Sequence, residues 1–158
     1  MNDPLIGRVL RRLMAAVVLG AVGLAQGAEA PAYFSLAKLR LEPTRRGYEM
    51  RHADGALPSV ELFLDGGTPR LISCEVAKQD GRIGLITYYA GSAGTSQFYK
   101  VTRVVVVDLV AKRILGIVLQ AYTPESNEPP LRQPEWKWSK NRLVVIDREF
   151  GGATTLTW

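Results

Sequence analysis

Two side chains on which much protein chemistry depends are almost missing from this sequence. It holds one cysteine, Cys74, and one histidine, His52. A lone cysteine excludes an internal disulfide. Sharing strand parity with Ile72 and Val76, Cys74 reads as a small core residue. A lone histidine leaves no His-rich metal set, and His52 and Cys74 share no ligand spacing. It also restricts any Ser–His–acid site to His52, which stands beside the turn Ala53-Asp54-Gly55 and reads as a half-exposed structural residue. No G-x-S-x-G elbow occurs. The small-residue stretch Gly91-Ser92-Ala93-Gly94-Thr95-Ser96 lacks the Gly-Lys-Ser/Thr that closes a phosphate loop. Asp54, Asp65, Asp80 and Asp108 stand singly, as turn or strand residues rather than as a calcium loop. These absences predict no metal and no cofactor.

Long runs of basic residues are also missing. The net charge is +5, yet no run of Lys or Arg exceeds two, which argues against nucleic acid and for a solvated basic surface. The longest apolar run, residues 13–25, is short of the about 20 residues that a spanning helix needs. Arg8, Arg11 and Arg12 precede it, and Ala25-Gln26-Gly27-Ala28-Glu29-Ala30 follows. A basic start, a short apolar centre and a small-residue exit predict a signal peptide over 1–30, cut after Gly27 or Ala30. The expected product is a periplasmic or secreted protein with no membrane span of its own. No cysteine follows the apolar run, which argues against a lipid anchor. Residues 31–158 are one domain's length. Losing three basic and two acidic residues with 1–30 leaves them a charge of about +4, suited to anionic envelope polymers or an acidic partner.

What the chain does have is strand-forming sequence punctuated by turns about every ten residues. Strands are expected over 33–41, 47–52, 59–64, 70–77, 83–90, 101–109, 113–121, 142–148 and 153–157, with another through Trp136 and Trp138. The fold predicted is all-β: a single antiparallel sandwich or barrel-like meander of about eight strands. Its centre is Tyr99-to-Leu119, where Val104-Val105-Val106-Val107 is apolar on both faces. Such a strand needs a second cover beyond the core: a loop, a second sheet, or the partner copy in a homodimer. Val107-Asp108-Leu109 followed by Lys112-Arg113 and Ile114-Leu115-Gly116 resembles one hairpin of a β-propeller blade. The chain is too short for a propeller ring, so the resemblance implies only a local hairpin.

Two stretches stand out as candidate sites. The loop 91–96 is framed by Tyr88, Tyr89, Phe98 and Tyr99. A backbone with so little side-chain bulk can enter a narrow cleft, with flanking aromatics supplying buried area. Tyr89, Ser92, Thr95, Ser96, Phe98 and Tyr99 are therefore the predicted partner-binding residues. The second stretch, 122–138, carries four prolines and ends on Trp136 and Trp138, which share one strand face and form a second candidate ligand face for glycan or lipid. No catalytic residue is assigned. A Ser–Lys pair would join Ser92 or Ser96 to Lys100, but four residues of extended strand hold Ser96 and Lys100 about 13 Å apart. A carboxylate pair would draw on Asp108, Asp147 and Glu149, although Asp147-Arg148-Glu149 reads better as a surface charge ladder. The expectation is a binding module rather than an enzyme. Its partner would be a protein of the cell envelope, such as a hydrolase or toxin, held by an inhibitor or immunity protein.

Overall fold

The computed structural model describes residues 29–94, 98–125, 127 and 129–158. The signal peptide expected over 1–30 lies almost wholly outside them. A single 3-10 turn, Leu36–Lys38, leads into ten strands: β1 Leu39–Thr44, β2 Gly47–His52, β3 Val60–Glu61, β4 Arg70–Val76, β5 Ile83–Ala93, β6 Tyr99–Asp108, β7 Arg113–Pro124, β8 Glu135–Ser139, β9 Arg142–Ile146 and β10 Ala153–Thr157. They form three antiparallel sheets, ordered β1-β2-β3, β4-β5-β6-β7 and β10-β9-β8. The all-β, antiparallel expectation holds, and among the described residues no sheet closes into a barrel. No described helix is long and apolar enough to cross a membrane.

The apolar run of β6 explains the arrangement. Val104, Val105, Val106 and Val107 are each at most 1% exposed, and a buried Val stabilises by roughly 1.5 kcal/mol or more. Val105 and Val107 pack with Phe34, Met50, Leu57 and Leu62 from the β1-β2-β3 side. Val104 and Val106 pack with Leu143, Val145 and Leu156 from the β8-β9-β10 side. Successive side chains of a strand point to opposite faces, so one four-residue run anchors both outer sheets. The second face of this strand is thus covered by the chain itself, and the homodimer expected as one way to cover it has no support there. Close approach is written into the sequence as glycine: a Cβ on Gly116 would lie 2.7 Å from Leu156 Cδ2.

Several local expectations change for physical reasons. The strand expected over 33–41 begins only at Leu39, because Phe34 donates its N–H to Pro31 O (2.7 Å) and its ring is buried in the core. Pro43 sits inside β1 and Pro124 inside β7, both edge strands, where the missing N–H costs no ladder bond. The strand expected over 59–64 shrinks to β3, although its facing persists: Leu62 is buried and Phe63 exposed. Ile72 does not share a face with Cys74. The register slips between Leu71 and Ser73, a bulge that turns Ile72 out to solvent and Leu71 into the core. Cys74 is half-buried and free, and burial, with the neighbouring Glu75 charge, pushes its thiol up to about 12. His52 is more buried than expected, at 7% exposure. Its Nε2 donates to Tyr33 O (2.8 Å) while Nδ1 accepts from the N–H groups of Asp54 (3.2 Å) and Ala56 (3.3 Å). That set of partners makes it a structural clamp.

Candidate functional site: a cleft at the end of the central sheet

Where β5 ends, Gly91 lies against Gly66 in a parallel bridge. Asp65 N–H donates to Ala90 O (2.8 Å) and Ser92 N–H to Gly66 O (3.0 Å). Gly91 has φ +120°, and a Cβ there would fall 1.6 Å from Gly66 O. Only glycine meets both the conformation and the contact. Gly91→Ala should therefore lower stability by on the order of 3 kcal/mol, read as a fall in the urea midpoint. An unchanged midpoint would show that the two segments do not need this contact.

The bridge places Asp65 beside β6. Arg103 Nε donates to Asp65 Oδ2 (2.6 Å) and Nη2 to Oδ1 (2.8 Å), and the two side chains are only 17% and 15% exposed. Burial works to lower the Arg103 pKa, but the Asp65 bonds and charge outweigh it and the net shift is upward. The exposed Phe63 ring packs on the guanidinium, 4.3 Å from carbon to centroid.

From the β7 side comes Tyr122, whose backbone is clamped by Gln133. Tyr122 N–H donates to Gln133 Oε1 (3.0 Å), and Gln133 Nε2 donates to Tyr122 O (2.8 Å). The Tyr122 hydroxyl donates to Asp147 Oδ2 (2.8 Å). Burial first, and Asp147 second, raise its pKa, so it stays a donor at neutral pH. Asp147 Oδ1 accepts the N–H groups of Glu149 (3.0 Å) and Phe150 (3.3 Å), which shapes the turn between β9 and β10. Phe150 meets Tyr122 edge-on at 5.3 Å.

These groups line one cleft of about 570 Å³, together with Ala93, Gly94, Tyr99, Leu131 and Glu149. Both loops singled out in the sequence reach it: Ala93 and Gly94 from the small-residue stretch, Leu131 from the Pro-rich one. Of the predicted partner-binding residues, Tyr99 lines the cleft, is buried, and donates its hydroxyl to Pro129 O (3.0 Å). The Tyr89 hydroxyl lies 2.8 Å from Ser92 Oγ, and Ser92 Oγ donates to Glu125. Ser92 stands directly across from Lys100 in the β5–β6 ladder, but its hydroxyl is spent on Tyr89 and Glu125. Phe98 is exposed and its carbonyl accepts Glu125 N–H (3.0 Å). Thr95 and Ser96 lie outside the described residues.

The carboxylate trio does not assemble. Asp108 is committed at the far end of β6, where Arg82 Nε (3.0 Å) and Nη2 (2.7 Å) both donate to it. The charge ladder expected at 147–149 is absent as well, since β9 stops at Ile146 and Asp147 turns inward. No group of three His, Cys, Asp or Glu among the described residues is placed to hold a metal ion. Trp136 and Trp138 line a separate groove. Sequence reasoning missed Arg103, Tyr122 and Phe150, and read Asp65 only as a turn residue. They come from four segments that no spacing rule connects. No protein-family model, curated protein or solved structure matches this chain.

Proposed function

We propose that the chain is an exported, non-catalytic binding module that grips a protein partner in the cell envelope through this cleft. Its most concrete role is an inhibitor or immunity protein against an envelope-targeting enzyme. One observation carries the reading. The sequence has four Phe; Phe34 is core, while Phe63, Phe98 and Phe150 are 59%, 48% and 67% exposed. Phe150 lines the cleft and Phe63 packs on its Arg103, whereas Phe98 neighbours Tyr99 in sequence without lining the cleft. Single exposed apolar residues are ordinary, but large apolar side chains gathered around one concave site mark an interaction surface.

The polar groups support recognition over turnover, because Arg103 with Asp65 and Tyr122 with Asp147 are already paired and held. Charge narrows the partner further. One Arg faces three carboxylates, Asp65, Asp147 and Glu149, so the cleft is locally acidic, opposite in sign to the chain's net charge and unfavourable to the acidic partner which that charge suits. A partner offering a Lys or Arg side chain complements that local field.

The test is capture of a partner by the tagged, exported protein from envelope extract and from the secretions of neighbouring cells. The expected result is one hydrolase retained by the parent and lost by Phe63→Ser/Phe150→Ser. If both proteins capture the same set, the cleft is not the interface. If purified protein instead degrades an envelope polymer and Asp147→Asn stops it, the site is catalytic.

A further inference from the structure

We propose that the separate groove beneath Trp136 and Trp138 binds a linear chain of equatorially linked N-acetylhexosamines. This goes beyond the protein-binding reading and shares no lining residue with the cleft. Trp136 and Trp138 stand two residues apart on β8, the edge strand of its sheet, so both rings fall on one side. They lie 6.2 Å apart and tilted by 39°, and Trp158 meets Trp138 edge-on at 6.1 Å. The Trp136 indole N–H donates to Leu119 O (3.1 Å) and that of Trp158 to Asp80 Oδ2 (3.0 Å). The rings are therefore preorganised, which lowers the ordering cost of binding.

Trp138 differs from its neighbours, since its N–H has no acceptor among the described residues. It also stands at the junction of two depressions. The groove of about 450 Å³ ends at Gln79 and Trp138, and both residues also line the next depression, of about 320 Å³. The two therefore adjoin at Trp138 and together make one track. The side-chain amides of Gln79 and Gln120 along it are likewise unpaired among the described residues. The floor is Leu85 and Val104.

The chemistry selects the occupant. Within the track Lys78 and Lys140 are offset by Glu75 and Asp80, so a polyanion gains little. The apolar C–H faces of equatorially substituted pyranoses lie flat against aromatic rings that also offer a polar edge. An acetamido group presents one donor and one acceptor, the complement of a glutamine amide.

Titration of the full exported protein with N,N′,N″-triacetylchitotriose, followed by tryptophan fluorescence and calorimetry, tests this. Saturable binding is expected, at least tenfold weaker in Trp138→Ala, restored only in part by Trp138→Phe, which returns the aromatic face without the N–H, and unchanged in Phe63→Ser/Phe150→Ser. Maltotriose, α-linked and without acetamido groups, should bind at least tenfold less well. No saturable signal from triacetylchitotriose, equal binding of the two sugars, or undiminished binding by a folded Trp138→Ala would each overturn the proposal. The unaffected cleft variant keeps this outcome distinct from failure of the protein-partner reading.

Discussion

Arg103→Met should destabilise the protein by about 3–5 kcal/mol, the cost of leaving one member of a buried ion pair uncompensated. Asp65 would lose both Arg103 bonds while remaining 15% exposed, and Phe63 would lose the cation on which it packs. The double variant Arg103→Met/Asp65→Leu should recover most of that loss, since removing both charges removes the unpaired one. A double-mutant cycle in urea measures the difference directly. If the single and double variants were equally unstable, the pair would not be what ties the 65–67 turn to β6. The same cycle bears on function, because the double variant keeps the backbone bridge of Gly66 to Gly91 and deletes only the polar wall of the cleft. Partner capture that survives it would not need the Arg103–Asp65 pair.

Asp108→Asn should have a comparable effect, and one that depends on pH. The Asp108 side chain is fully buried. It accepts two bonds from Arg82 and the N–H groups of Val110 (3.1 Å) and Ala111 (2.9 Å) at the β6–β7 turn. The Arg82 hydrogen bond is the largest influence and, against the cost of burial, holds the Asp108 pKa down at about 2. An unfolded Asp titrates near 3.9. A carboxylate with a depressed native pKa stabilises the fold above its unfolded pKa. Here that contribution, about 2–3 kcal/mol, is fully present at neutral pH and is lost as pH falls from about 4 through 2. Urea midpoints at pH 7, 4 and 2 should show the parent losing its advantage over Asp108→Asn across that window. A gap that stayed constant would mean that the Asp108 charge carries none of the stability.

The pattern of residues made much of the fold legible. The boundaries of β2 and β10 match those read from turn chemistry and alternation, and β4, β6 and β9 differ from theirs by at most two residues at either end. The need for a second cover on the four-valine run was also legible. Its nature was not, because a face apolar enough for a second sheet is equally apolar for a partner copy. The Ile72 parity failed because a one-residue bulge leaves little trace in sequence yet reverses every side chain beyond it.

The candidate site divides along the same line. Tyr99 and the small-residue stretch were visible because their peculiarity is local: side-chain bulk is low and aromatics stand on both sides. Arg103 was invisible because one Arg in an apolar strand looks like any strand-end charge until Asp65, 38 residues earlier in the chain, is brought within 2.6 Å. Tyr122 and Asp147, 25 residues apart, meet only because separate sheets pack around one end of β6. By itself the sequence determined an all-β chain with a single His and a single Cys, since alternation, turn residues and composition act over a few neighbours. Which polar groups share a cleft, what lies beneath Trp136 and Trp138 and which face of β6 meets which sheet were decided by tertiary structure alone. The physical reason is that burying both faces of one apolar strand draws distant segments together, and no local pattern records where they will meet.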